Sequence, residues 1–145
     1  MPGNNDEESV LEYYFNIYAK ATDDLDTNGK TLQEACLAHP SLYLYYYDKL
    51  CELKRLSNDV QTELDRLRSK HTIRYNERHT IDLNLSLITK YIESESEIVK
   101  AKQTLAEVDE LKNKFEAVKE AFISRGYQLN NVTKQRVAMV EEGLL

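Results

Sequence analysis

Tryptophan is absent from this 145-residue chain, and glycine and proline are scarce, with four and two copies. So few backbone breakers exclude an architecture built on many tight turns and favour long, uninterrupted helices. Only two cysteines are present, Cys36 and Cys51. With neither CxxC spacing nor a disulfide framework, they are expected to be free thiols in a reducing cytosol. The most apolar run, Leu42 to Tyr47, is far too short to span a bilayer. The first residues are acidic and polar, the opposite of a secretory leader. A glycine-rich phosphate loop is missing as well, which argues against nucleotide hydrolysis.

Charge is plentiful, at 30% of residues, as in helical and coiled-coil proteins. The formal net charge of −6 is unevenly spread. Met1 to Pro40 and Ile81 to Leu145 carry more acids than bases, whereas Ser41 to Thr80 carries more bases than acids. An acidic total therefore does not exclude a polyanionic partner; the distribution is what matters.

In chain order, Asn4 or Asn5 followed by Asp6, Glu7 and Glu8 predicts a helix start, since carboxylates favour the positive end of the helix dipole. That helix is expected over about Asp6 to Ala21, with Val10, Tyr13, Tyr14, Ile17 and Tyr18 on its apolar side. Thr22 to Lys30, with Asn28-Gly29, reads as a turn. Thr31-Leu32-Gln33-Glu34 fits a capping box and predicts a short helix ending near Ala38, because Pro40 disfavours helical geometry at His39. Ser41 then caps a long helix to Arg78, striped by Leu50, Leu53, Leu56, Val60, Leu64 and Leu67. Its opening tyrosines, Tyr43, Tyr45, Tyr46 and Tyr47, are read as packing residues, with base stacking as the sharper alternative.

A second long helix, with Thr80 as its candidate cap, is expected to run to Gly126. Ile81, Leu83, Leu85 and Leu87 briefly alternate as in a strand. A helical rhythm then resumes through Tyr91, Ile98, Ala101, Leu105, Val108, Phe115 and Phe122. Gly126 is expected as a left-handed C-cap. A final helix from Val132 to Glu142, with Val132, Val137, Val140 and Leu144 as its stripe, is too short to stand alone and must dock. The expected fold is all-α: a long antiparallel hairpin or bundle with short N-terminal helices and a C-terminal oligomerisation helix. Its segments are 1–40, 41–126 and 127–145.

The chemistry lies in the middle segment. Arg66, Lys70, Arg74 and Arg78 stand four apart, one row of positive charge on a helix, with Arg68, His71 and Tyr75 beside it. Like charges at that spacing repel, so the row suggests a polyanionic partner. The competing reading is a solvated face neutralised by acidic neighbours. Cationic side chains neutralise phosphates without base specificity, and an aromatic such as Tyr75 can stack on an unpaired base. A few cations per chain give weak binding, so useful affinity requires several copies on one strand.

Catalytic constellations are thin. Cys36, His39 and Cys51 make a poor zinc set with no fourth ligand. Glu93, Glu95 and Glu97 point in different directions around one continuous helix. No cofactor is expected, and the reading is a binding protein rather than an enzyme. A basic membrane-surface helix fits poorly with the tyrosine-rich and acidic faces.

Leu67-Arg68-Ser69-Lys70 ahead of a tyrosine-containing segment, and Ser124-Arg125-Gly126-Tyr127 before a helix with Arg136 and a closing Glu142-Gly143, resemble the UvsY family. These are recombination mediators of T4-like tailed phages. The resemblance covers roughly Leu42 to Gly143. It implies a non-enzymatic protein that binds single-stranded DNA as a homo-oligomeric ring of six or seven subunits, heptamer favoured. It also implies loading of a RecA-like recombinase onto DNA covered by single-strand-binding protein, in the cytoplasm of an infected bacterium. By the same resemblance Arg68 and Lys70 are the paired DNA contacts, and the C-terminal region oligomerises. The alternative is a helical adaptor that does not bind DNA.

Overall fold

The computed structural model describes residues 4–78 and 84–143. Among them are four helices and no strand: α1 (Asn4–Leu25), α2 (Leu32–Arg78), α3 (Leu85–Glu93) and α4 (Ser96–Glu141). The chain is all-α, a helical bundle, as its scarcity of breakers implies.

The expected capping box forms at the start of α2. Glu34 N–H donates to Thr31 Oγ1 at 3.1 Å, and Thr31 N–H donates to the Glu34 carboxylate at 2.9 Å. The turn before it is closed by Asn28 N–H on Asp26 Oδ1 and by Gly29 at φ 76°, a left-handed conformation that suits glycine.

Two expected helix ends are not ends. Pro40 lies inside α2, so neither the stop near Ala38 nor the start at Ser41 exists. An internal proline costs a helix about 3 kcal/mol, and local packing offsets that here. His39 is hydrogen-bonded to Arg125 and its ring lies 6.0 Å from that of Phe122, while the Ser41 hydroxyl donates to the Ala38 carbonyl. Gly126 is likewise internal, in a helix that continues to Glu141. The expected separate helix from Val132 is therefore the last part of α4.

One interruption was not expected, between α3 and α4. Ser94 caps α3, its N–H and hydroxyl both donating to the Tyr91 carbonyl, and the α4 ladder restarts with Val99 N–H on Glu95 O. Serine hydroxyls that compete for local carbonyls explain the break. Asn84 caps the other end of α3 by accepting from Leu87 N–H. Thr80, Ile81 and Leu83 lie outside the described residues; Leu85 and Leu87 are helical.

The chain divides into two compact units, residues 1–51 with 111–145, and residues 52–110. In the first, α1 buries Leu11, Tyr14, Ile17 and Ala21. This face is rotated from the expected one, since Val10 and Tyr13 are exposed. Tyr13 sits at the rim, where the Lys49 ammonium meets its hydroxyl at 3.0 Å and also lies over its ring. The centre is aromatic: Tyr46 stacks on Phe122 at 5.1 Å and tilts against Phe115. Each large apolar side chain buried this way contributes about 1.5–3 kcal/mol. The Tyr46 hydroxyl donates to Asp24 at 2.6 Å; burial and that bond push its ionisation well above the usual range. Of the four clustered tyrosines only Tyr46 is core; Tyr43 and Tyr47 stack on each other, with Tyr47 exposed.

In the second unit, Leu64, Leu67, Ile88, Ile92 and Ile98 form the core, with Tyr75, Ala101 and Leu105 packed against it. Ser57 opposes Asp109 and His71 opposes Glu97, so α2 and α4 run antiparallel here. The Ser57 hydroxyl meets Asp109 at 2.7 Å, a polar bond between buried leucines of the α2 stripe.

Candidate nucleic-acid interface

The basic face belongs to the α2 portion of the second unit, and the structure surrounds it with carboxylates. Arg66 holds Glu63, one turn earlier on its own helix, with bonds of 2.6 and 2.9 Å. Arg68 grips Glu93 through Nε at 2.9 Å and Nη2 at 3.3 Å, and reaches Asp65 at 3.8 Å. Lys70 stands 3.8 Å from Glu97. Tyr75 donates its hydroxyl to Glu95 at 2.6 Å and stacks on Tyr91 with ring centroids 6.1 Å apart.

The α3–α4 break produces this arrangement. On an unbroken helix Glu93, Glu95 and Glu97 would diverge. With Glu93 closing α3, Glu95 in the turn and Glu97 in the first turn of α4, all three reach α2. The expectation of diverging carboxylates is thus corrected. Their proton affinities follow the contacts. Glu93 is held below its ordinary range by hydrogen bonds from Arg68 and then Lys102. Glu97 is lowered by its bond to His71 and by the Lys70 charge. Glu63 is lowered by Arg66.

The candidate contacts therefore occupy different environments. Arg66 and Lys70 remain solvent-exposed, with side chains 60% and 54% accessible. Arg74 is exposed and has no ion-pair partner among the described residues. Arg68 is only partly accessible and joins α2 to α3. His71 is buried, at 3% exposure, its Nε2 on Glu97 at 3.1 Å and its Nδ1 without a partner. It faces the core, not a ligand, which corrects its place in the candidate set. Tyr75 lies half-buried against Tyr91 with its hydroxyl engaged, so its ring is already stacked within the protein. The Arg78 side chain and His79 lie outside the described residues.

The candidate oligomerisation residues lie on the last turns of α4. Every residue from Asn131 to Gly143 is exposed, including Val132, Val137, Met139 and Val140; Leu144 lies outside the described residues.

Sequence reasoning missed one buried polar group. Arg125, 4% exposed, donates through Nη1 to His39 Nδ1 at 2.8 Å and through Nε to the Leu25 carbonyl at 3.2 Å. His39 is thereby committed to Arg125, and Cys36 and Cys51 are free thiols. Among the described residues no group of three His, Cys, Asp or Glu side chains is placed to hold a metal ion, and no helix is long and apolar enough to cross a membrane.

The fold and site define an all-α helical bundle with a charge-paired basic face. No family model matches the chain, and neither the curated proteins nor the solved structures contain a match.

Proposed function

We propose that the protein is a non-enzymatic, self-associating binder of single-stranded DNA that acts as a recombination mediator. The observation that carries the reading is the exposed row Arg66, Lys70 and Arg74 along one side of α2. Its carboxylate partners do not preclude phosphate binding. Surface ion pairs contribute little net stability and are screened by salt, so a phosphate strand can exchange with them. Arg68 then serves as the brace that fixes the row through Glu93. The exposed end of α4 supplies the self-association that makes a few cations per chain sufficient. A ring of six or seven subunits, a RecA-like recombinase partner and single-strand-binding protein on the DNA come from the UvsY resemblance, as does action in an infected bacterial cell.

Fluorescence anisotropy with a single-stranded oligonucleotide tests the proposal. Lys70→Ala with Arg74→Ala should weaken binding and reduce the salt slope by about 1.4 for each subunit engaged, roughly 0.7 per lost cation on a single strand. Binding unchanged in slope places the DNA elsewhere.

A specific observation favours a second reading. Glu63, Glu93 and Glu97 meet the basic row, the pattern expected of a solvated face in a helical adaptor. Absence of oligonucleotide binding at about 50 mM salt, where exposed charges are least screened, selects the adaptor.

A further inference from the structure

Away from the basic face, in the first unit, a cavity of about 300 Å³ is lined by Lys30, Arg125 and Arg136 together with Thr27, Thr31 and Gln128. Its other lining residues are apolar, and none is a carboxylate. The sequence places its residues there economically: Arg125, Gln128, Leu129, Val132 and Arg136 lie on one face of α4 by three- and four-residue spacing. Thr27, Lys30 and Thr31 come from the turn before α2.

We propose that this cavity is a binding site for a tetrahedral oxyanion of the phosphate class, either free phosphate or a phosphomonoester. Unlike Arg66, Arg68 and Lys70 of α2, Lys30, Arg125 and Arg136 have no carboxylate partner within ion-pair distance among the described residues. Arg125 is the telling one. It is a charge more than nine-tenths buried, with Nε on Leu25 O and Nη1 on His39 Nδ1, and its Nη2 has no hydrogen-bond partner. Nη2 itself is buried away from the cavity, but the guanidinium lines it without a counter-ion, so an anion there offsets a buried charge at short range. The first turn of α2 reinforces the preference. Its amides carry the positive end of the helix dipole, a setting that receives phosphate elsewhere. Thr27 and Thr31 supply hydroxyls, and Gln128 an amide donor. Two carboxylates on the same turn, Asp26 and Glu34, are occupied by Asn28 N–H and Thr31 N–H and do not line the cavity.

Isothermal titration of the full chain with sodium phosphate at constant ionic strength tests the site without reference to DNA. The expected result is saturable binding, weakened about three- to tenfold by Lys30→Gln or Arg136→Gln, and lost in the double variant. Both residues are exposed, so circular dichroism should show both variants folded. Lys20→Gln, an exposed cation of α1 outside the cavity lining, should leave phosphate binding unchanged. Phenyl phosphate binding more tightly than inorganic phosphate assigns the site to a phosphomonoester; equal or weaker binding assigns it to free phosphate. No saturable binding of either probe, or binding indifferent to the double variant, overturns the proposal. Failure of the oligonucleotide titration leaves this measurement intact, so the two results are separable.

Discussion

His39 lies against Gly126 so closely that a Cβ on the glycine would stand 2.8 Å from the imidazole Nε2. Glycine inside a helix is disfavoured by about 1 kcal/mol relative to alanine, so propensity alone says Gly126→Ala stabilises α4. The contact reverses that sign. The imidazole cannot swing away freely, because Arg125 holds its Nδ1 at 2.8 Å and Phe122 lies beside its ring. Overpacking at a fixed neighbour costs about 1–3 kcal/mol, which exceeds the gain from propensity. Gly126→Ala is expected to lower the urea midpoint, and combining it with His39→Ala should recover part of the loss. An alanine variant more stable than the wild type would show that His39 moves aside.

The same histidine gives the fold a pH signature. Burial, and next the Arg125 charge, hold the His39 imidazole below its ordinary 6.5. The unfolded chain therefore binds a proton in a range where the folded chain resists it. The stabilising contribution is complete above about 6.5 and is lost as pH falls toward the folded value. Glu63, Glu93 and Glu97 are lowered from 4.5, so their contributions fade only in more acidic solution. His39→Asn keeps an oxygen acceptor for Arg125 and removes the titration. Urea melts as a function of pH should show wild type losing stability relative to His39→Asn below about 6.5. Parallel curves through that window would mean the imidazole accepts its proton without disturbing Arg125.

Helical character, the capping box at Thr31 and most of the leucine stripe of α2 were legible because they are local patterns read at the right period. The misjudged ends share a different cause. Pro40 and Gly126 are local breakers, but His39, Arg125 and Phe122 meet around them, and tertiary contact overrode propensity at both. The break at Ser94 was hidden for the opposite reason: ordinary helix-compatible residues stop a helix when a serine hydroxyl takes the terminal carbonyl. That break decides the environment of the basic row. A row of cations four apart is visible in sequence; three carboxylates brought opposite it by a turn are not. Arg125 carried a signal, a lone arginine in an apolar rhythm near Phe122, but nothing nearby in sequence marked His39 as its partner.

The carboxylates give a way to separate the two functional readings. Glu93→Gln with Glu97→Gln keeps hydrogen-bonding atoms near Arg68, Lys70 and His71 while removing two negative charges beside the row. If the row binds phosphates, losing this competition should tighten oligonucleotide binding about three- to tenfold at low salt and steepen its salt dependence. Circular dichroism should show little loss of helix. Affinity unchanged by removal of both carboxylates would mean that the Arg66–Lys70–Arg74 side of α2 is not where DNA lies.

The end of α4 makes a prediction about assembly that does not depend on DNA. Val137 is 52% and Val140 is 61% exposed, and no residue from Asn131 to Gly143 is buried. A single chain therefore loses no core contact when these valines become charged. Val137→Asp with Val140→Asp should leave the thermal midpoint of a dilute sample within about 1 kcal/mol of wild type in stability terms, as surface substitutions usually do. If copies of the chain meet through this helix, burying two carboxylates in that contact is prohibitive, and light scattering should report a smaller species. Oligonucleotide affinity should fall with it, since several rows acting together supply the grip. An assembly of unchanged mass in the double variant would move the subunit contact off this helix. A smaller species that still binds single strands tightly would instead show that one α2 row suffices.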